Sequence, residues 1–145
     1  MKTSIVKQIT NIVLPFIQVF ALYVMVFGHI SPGGGFAGGS ILGASLIMYR
    51  FINGSEKTDN VFRYTYMLKL ACSSLIMYAL LKGSVFVSSF FGIDSLVGTG
   101  TPGTILSGGF ILPLNILVGL VVAITFYFIA TLFEEGELEN ANFAE

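Results

Sequence analysis

Four long apolar blocks set the pattern of the chain, at about 9–27, 36–52, 67–90 and 110–133, and short stretches rich in glycine, proline or charge separate them. A bilayer core of roughly 30 Å needs about 20 apolar residues in helix, because only an internally hydrogen-bonded backbone is tolerated there. Each block therefore predicts a transmembrane helix, and the chain reads as an all-α integral membrane protein. It forms a single membrane domain over 1–145, the last stretch, 134–145, being an acidic tail.

Charge placement orients the helices. Lys2, Lys7, Arg50, Lys57, Arg63 and Lys69 flank the N-terminus or the connection between the second and third blocks. Four crossings put all of these on one side, which the positive-inside rule makes cytoplasmic, together with both termini. The opposite connections carry only His29 and Asp94 as titratable residues. Lys2 and Lys7 ahead of an apolar run resemble the start of a signal peptide, but the run is long and three more follow, so it reads as a retained first helix. Asn53 to Asn60 reads as an ordinary polar turn, and Glu134, Glu135, Glu137, Glu139 and Glu145 as a solvated end.

Composition narrows the function classes. Hydrophobic residues make up 54% and charged residues 10% of the chain, and the mean hydropathy is +0.86, far from the soluble average. There is no basic patch for nucleic acid. Cys72 is the lone cysteine, so neither an internal disulfide nor a cysteine metal cluster can form. One histidine, one cysteine and acids that mostly trail the last helix do not assemble a nucleophile triad or a metal cage. The chain is expected to be non-catalytic by itself, with no cofactor and no metal site.

Between the first two blocks runs Gly28-His29-Ile30-Ser31-Pro32-Gly33-Gly34-Gly35-Phe36-Ala37-Gly38-Gly39. Pro32 stops helix continuity and the glycines open backbone angles closed to other residues, so a tight corner is expected. Gly33, Gly35 and Gly38 also satisfy G-x-G-x-x-G, with Asp59 about twenty residues on, but the dinucleotide fingerprint needs a preceding strand and a soluble crossover unit. That match is accidental. His29 is the one group with an ordinary pKa near 6.5, able to exchange protons or to bond the free carbonyls of its own turn.

Three other features stand out within the blocks. Gly35, Gly39 and Gly43 recur every four residues, a stripe on which another helix backbone can approach closely, and Asn115 can hydrogen-bond across helices. Asn11, Pro15 and Gln18 in the first block are expected to face protein. Lys82 lies about twelve residues beyond Leu70, roughly 18 Å along a helix. An ammonium at that depth marks a functional group by default, or else snorkels to the outer interface.

The corner sequence resembles the signature of the B subunit (MnhB/MrpB-like) of Mrp-type multisubunit cation/proton antiporters. In that family Gly-His, two variable residues, Pro-Gly-Gly-Gly-Phe, one variable residue and Gly-Gly join the first two of four transmembrane helices. The matching residues are Gly28, His29, Pro32, Gly33, Gly34, Gly35, Phe36, Gly38 and Gly39. The second half departs from the bacterial antiporter pattern: Gly100-Thr101-Pro102-Gly103-Thr104 and Pro113-Leu114-Asn115 replace a Thr-His-Thr loop and a Phe-Asp-Leu-Gly stretch. This form is similar to versions in hydrogenase-linked and archaeal-type modules.

The resemblance implies an accessory membrane subunit that helps form the sodium-translocating part of a large complex in the cell membrane. The parent would be a stand-alone Na+/H+ antiporter or a membrane-bound hydrogenase-type respiratory complex. Partners would be other Mrp-type membrane subunits, with hydrogenase or other redox subunits in the second case. His29 and Lys82 are the candidates for ion translocation. The competing class is a self-contained small homo-oligomeric channel or transporter.

Overall fold

The structure, a computed structural model, describes residues 2–28, 32–92 and 111–143, with side chains over 5–28, 32–92 and 111–136. In chain order the helices are α1 (Lys2–Phe27), α2 (Gly35–Asn53), α3 (Ser55–Val61), α4 (Tyr64–Phe91) and α5 (Ile111–Phe143). Four of them are long and apolar enough to cross a membrane, at Ile5–Phe27, Gly35–Asn53, Tyr64–Phe91 and Ile111–Gly136. The first, third and fourth expected segments thus extend past their apolar blocks, because backbone hydrogen bonding continues where hydropathy falls. α1 continues through Pro15 without a break.

α2 and α5 form the centre. A side chain on Gly35 would meet the Asn115 carbonyl, one on Gly39 the Gly119 carbonyl and one on Gly43 the Ala123 carbonyl. Matching four-residue steps on both helices mean that they run parallel and in register. α1 lies antiparallel on α2, with Met25 and Ala21 against Gly38, and Met25 also reaches Gly119 of α5. α4 packs chiefly against α5.

The buried core is thin and built largely of small or flexible residues: Leu14, Ala21 and Met25 from α1, Met67 from α4, and Ala123, Ile124 and Tyr127 from α5. Large apolar side chains point outward instead, among them Phe16, Phe51, Phe86 and Phe133. An exterior of this kind would be a liability in water and suits lipid or partner helices.

The connection expected as an ordinary polar turn folds into a helix. Gly54, at φ 84°, ends α2 and starts α3, an angle that side-chain-bearing residues rarely adopt. The Thr58 hydroxyl donates back to the Gly54 carbonyl at 2.8 Å, and Thr58 is fully buried. The stretch expected as a solvated acidic end is likewise helical as far as Phe143.

Candidate functional site

The corner is assembled by backbone contact. Its described ends, Gly28 and Gly34, lie so close that a Cβ on Gly28 would run into the Gly34 Cα. Gly34 has φ 144°, another angle open chiefly to glycine. A Cβ on Gly38 would sit 2.8 Å from the Ala21 carbonyl oxygen, and one on Gly39 would sit 2.5 Å from the Gly119 carbonyl oxygen and 2.9 Å from its Cα. Three helices therefore converge just below the turn with little between them but main chain. At such spacing Cα–H groups and carbonyls face one another directly, each contact adding about 0.5–1 kcal/mol. Asn115 takes part through its main-chain carbonyl, a different contribution from the amide bond expected of it. Phe36 is exposed and meets Phe126 edge-on, with centroids 6.5 Å apart. His29 lies outside the described residues.

Lys82 is exposed on α4. Tyr64 stacks near Phe128 with centroids 4.8 Å apart, Met67 packs with Ile124 and Tyr127, and Leu75 and Tyr78 face Leu117 to Val122. α4 and α5 are thus antiparallel, and continuing that register sets Lys82 level with the first turn of α5. Gly35 meets Asn115 at the same end of the bundle. Since α4 starts at Tyr64, Lys82 lies roughly 28 Å along the axis from Arg63, at about 1.5 Å per residue. Among the described residues it has no ion-pair partner.

A polar cluster that the sequence reading missed occupies the other end. Arg50, the last basic residue of α2, is only 5% exposed. Its Nε donates to Glu134 Oε2 of α5 at 2.6 Å, its Nη1 donates to Asp59 Oδ1 of α3, and Nη1 also reaches the Tyr127 phenolic oxygen at 3.3 Å. The guanidinium carbon lies 6.0 Å from the Tyr127 ring centroid. A planar, five-donor group can serve two carboxylates and a phenol from different helices at once, which a lysine cannot do with the same geometry. Beside it opens a cleft of about 320 Å³ lined by Arg50, Asp59, Phe62, Tyr127, Thr131 and Glu135, among others. A usable signal was an arginine inside the last turn of an apolar block, where a buried charge demands acidic partners.

These features define an all-helical bundle, centred on two parallel helices in backbone contact, with a glycine corner at one end and an ion cluster at the other. Among the described residues no group of three or more His, Cys, Asp or Glu could hold a metal ion. Residues 5–128 match the family described as a domain related to the MnhB subunit of Na+/H+ antiporter, and the chain belongs to that family. It is similar to an uncharacterized protein of Methanocaldococcus jannaschii, 29% identical over 126 residues, or 83% of this chain and 48% of that one. It is also similar to a Staphylococcus saprophyticus protein named as an antiporter subunit, mnhB2. That likeness is 25% over 95 residues, or 66% of this chain and 64% of the relative. The chain thus spans about half the length of the first relative and under two thirds of the second.

Proposed function

We propose that the chain is an accessory, multi-pass subunit of an Mrp-type Na+/H+ antiporter module in the cell membrane, with both termini cytoplasmic and other Mrp-type membrane subunits as partners. The observation that carries this is the family match across 5–128, which includes the corner and the first half of α5. The outward-facing phenylalanines support association with lipid and larger subunits. The parent complex is a stand-alone antiporter or a hydrogenase-type respiratory complex. Purification from native membranes should recover the chain with larger membrane subunits, and redox subunits among them would identify the parent. Recovery only as a homo-oligomer would overturn the proposal in favour of a self-contained channel.

Orientation has its own test. With Cys72 replaced, cysteines introduced at Lys57 and in the C-terminal tail should resist impermeant external thiol reagents, while one at Thr99, which lies outside the described residues, should react. Labelling at Lys57 from outside would reverse the topology.

His29 and Lys82 are proposed to act at the outer mouth of the ion route. Lys82→Met keeps the stem and removes the charge, whereas His29→Gln keeps hydrogen bonding and removes titration near neutrality. In reconstituted vesicles across pH 6 to 9, Lys82→Met should lower sodium-dependent transport several-fold and His29→Gln less, with subunit recovery unchanged in both. Normal transport by Lys82→Met would remove that lysine from the route.

A further inference from the structure

The seam between α4 and α5 is filled at one end and open toward the other. Near the Arg50 cluster Met67, Ile124 and Tyr127 close it. Further along, Leu75 and Tyr78 of α4 stand off from Leu117, Val118, Val121 and Val122 of α5 across a cleft of about 220 Å³ whose exposed walls are apolar. Lys82 comes seven residues after Leu75. At 3.6 residues per turn it is rotated by only about 20° from Leu75 and lies about 10 Å further toward the outer end, so it stands over the mouth of the cleft on the same edge of α4.

An apolar slot with a cation at its rim that has no ion-pair partner among the described residues matches one chemistry. We propose that the cleft binds a single anionic membrane lipid, an acyl chain lying against Leu75, Tyr78 and the valines of α5, and its phosphate held by the Lys82 ammonium. The proposal rests on the membrane-spanning reading above. In that setting Lys82, about 28 Å from Arg63, stands one bilayer core away from the opposite rim, at the level of phosphates. A lysine head on a flexible stem is suited to a phosphate as a point charge.

A partner helix fits the cleft less well. A helix with side chains is about 10–12 Å across, and close helix contacts in membranes are made through Gly, Ala, Ser or Thr. Here the walls are leucine, tyrosine and valine, with no small residue to admit a backbone. The glycine stripe that could admit one is already spent on α5.

The test uses the chain purified with its partner subunits and reconstituted in phosphatidylcholine bilayers containing a trace of spin-labelled phosphatidylglycerol or spin-labelled phosphatidylcholine. The wild type should immobilise the anionic probe about fivefold more than the neutral one, the equivalent of the ~1 kcal/mol that one lysine contributes near anionic lipid. Lys82→Met and Lys82→Gln should abolish that preference. Val121→Trp, which fills the cleft and leaves Lys82 in place, should abolish it too. A preference kept in either Lys82 variant, or in Val121→Trp, would overturn the site. So would Leu75→Cys, in a Cys72→Ser background, crosslinking to a partner subunit, since a helix would then cover the cleft. Failure of the wild-type complex to float with the vesicles would sink the membrane reading itself, whereas flotation without headgroup preference would sink only the lipid site.

Discussion

Gly39→Leu should abolish recovery of the chain with the proposed partner subunits, while Ile41→Leu, two residues away, should leave recovery near the wild-type level. The asymmetry follows from what each position faces. A Cβ at Gly39 would lie 2.5 Å from the Gly119 carbonyl oxygen, 2.9 Å from the Gly119 Cα and 2.9 Å from the Val122 Cβ. Two of these three neighbours are main chain, so no rotamer change can make room. α5 would have to move as a whole and would lose the parallel register at Gly35 and Gly43 with it. Inserting even one or two methylenes into a well-packed core costs about 1–3 kcal/mol, while volume-conserving swaps cost less than about 1.5. Leucine here adds four carbons against backbone, so the loss exceeds that range. Gly39→Ala should already lower the midpoint of thermal unfolding in detergent, whereas Gly83→Ala, on α4 with nothing within 4 Å of the added Cβ, should not. Equal midpoints for Gly39→Ala and Gly83→Ala would mean that the α2–α5 contact does not hold the bundle together.

The parts of this structure that could be read from sequence are those with a local cause. Helix existence follows from blocks of apolar residues about as long as a bilayer is thick, and the four spans fall on the four blocks. The four-residue glycine spacing points to one helix face, although the pattern alone does not say which neighbour covers it. That is α5, through Asn115, Gly119 and Ala123. Where the cause was distant, the reading failed. α3 is seven residues long with no apolar periodicity, and its place depends on Gly54 and on burial of Thr58. The Glu134 side chain looked solvated because its partner, Arg50, lies 84 residues away. The charge pattern uses Arg50 only to mark one side of the membrane, which draws on the charge and ignores where the guanidinium points. The extent of α4 shows the same limit in a milder form. Hydropathy starts the third block near Met67, but Tyr64 stacks on Phe128 and draws the helix back by a turn, which moves Lys82 further along the axis than the apolar run suggests.

Arg50→Met should be among the most destabilising single changes outside the glycine stripe, and the partners should rank Glu134→Gln above Asp59→Asn. Burial decides the order. Arg50 is 5% exposed, Glu134 27% and Asp59 56%. A pair with a half-exposed carboxylate is worth about 0–1 kcal/mol, so Asp59→Asn should be mild. Its visible effect should be local, as easier proteolysis around α3, because Asp59 links that short helix to α2. Glu134 is more enclosed and receives the 2.6 Å bond from Nε; removing its charge leaves the guanidinium with one exposed acid and the Tyr127 hydroxyl. Removing Arg50 instead leaves Asp59 and Glu134 facing each other across the vacated space. Breaking a buried pair by losing one partner costs about 3–5 kcal/mol, and partial exposure of the acids should bring this chain to the lower end of that range. The double variant Arg50→Met with Glu134→Gln should recover part of the loss, since the stranded carboxylate is gone. Unfolding midpoints of the four variants in one detergent give the ranking. If Arg50→Met and Asp59→Asn proved equally mild, or the double variant fell as far as the sum of the singles, the guanidinium would not be the tie that joins α2, α3 and α5.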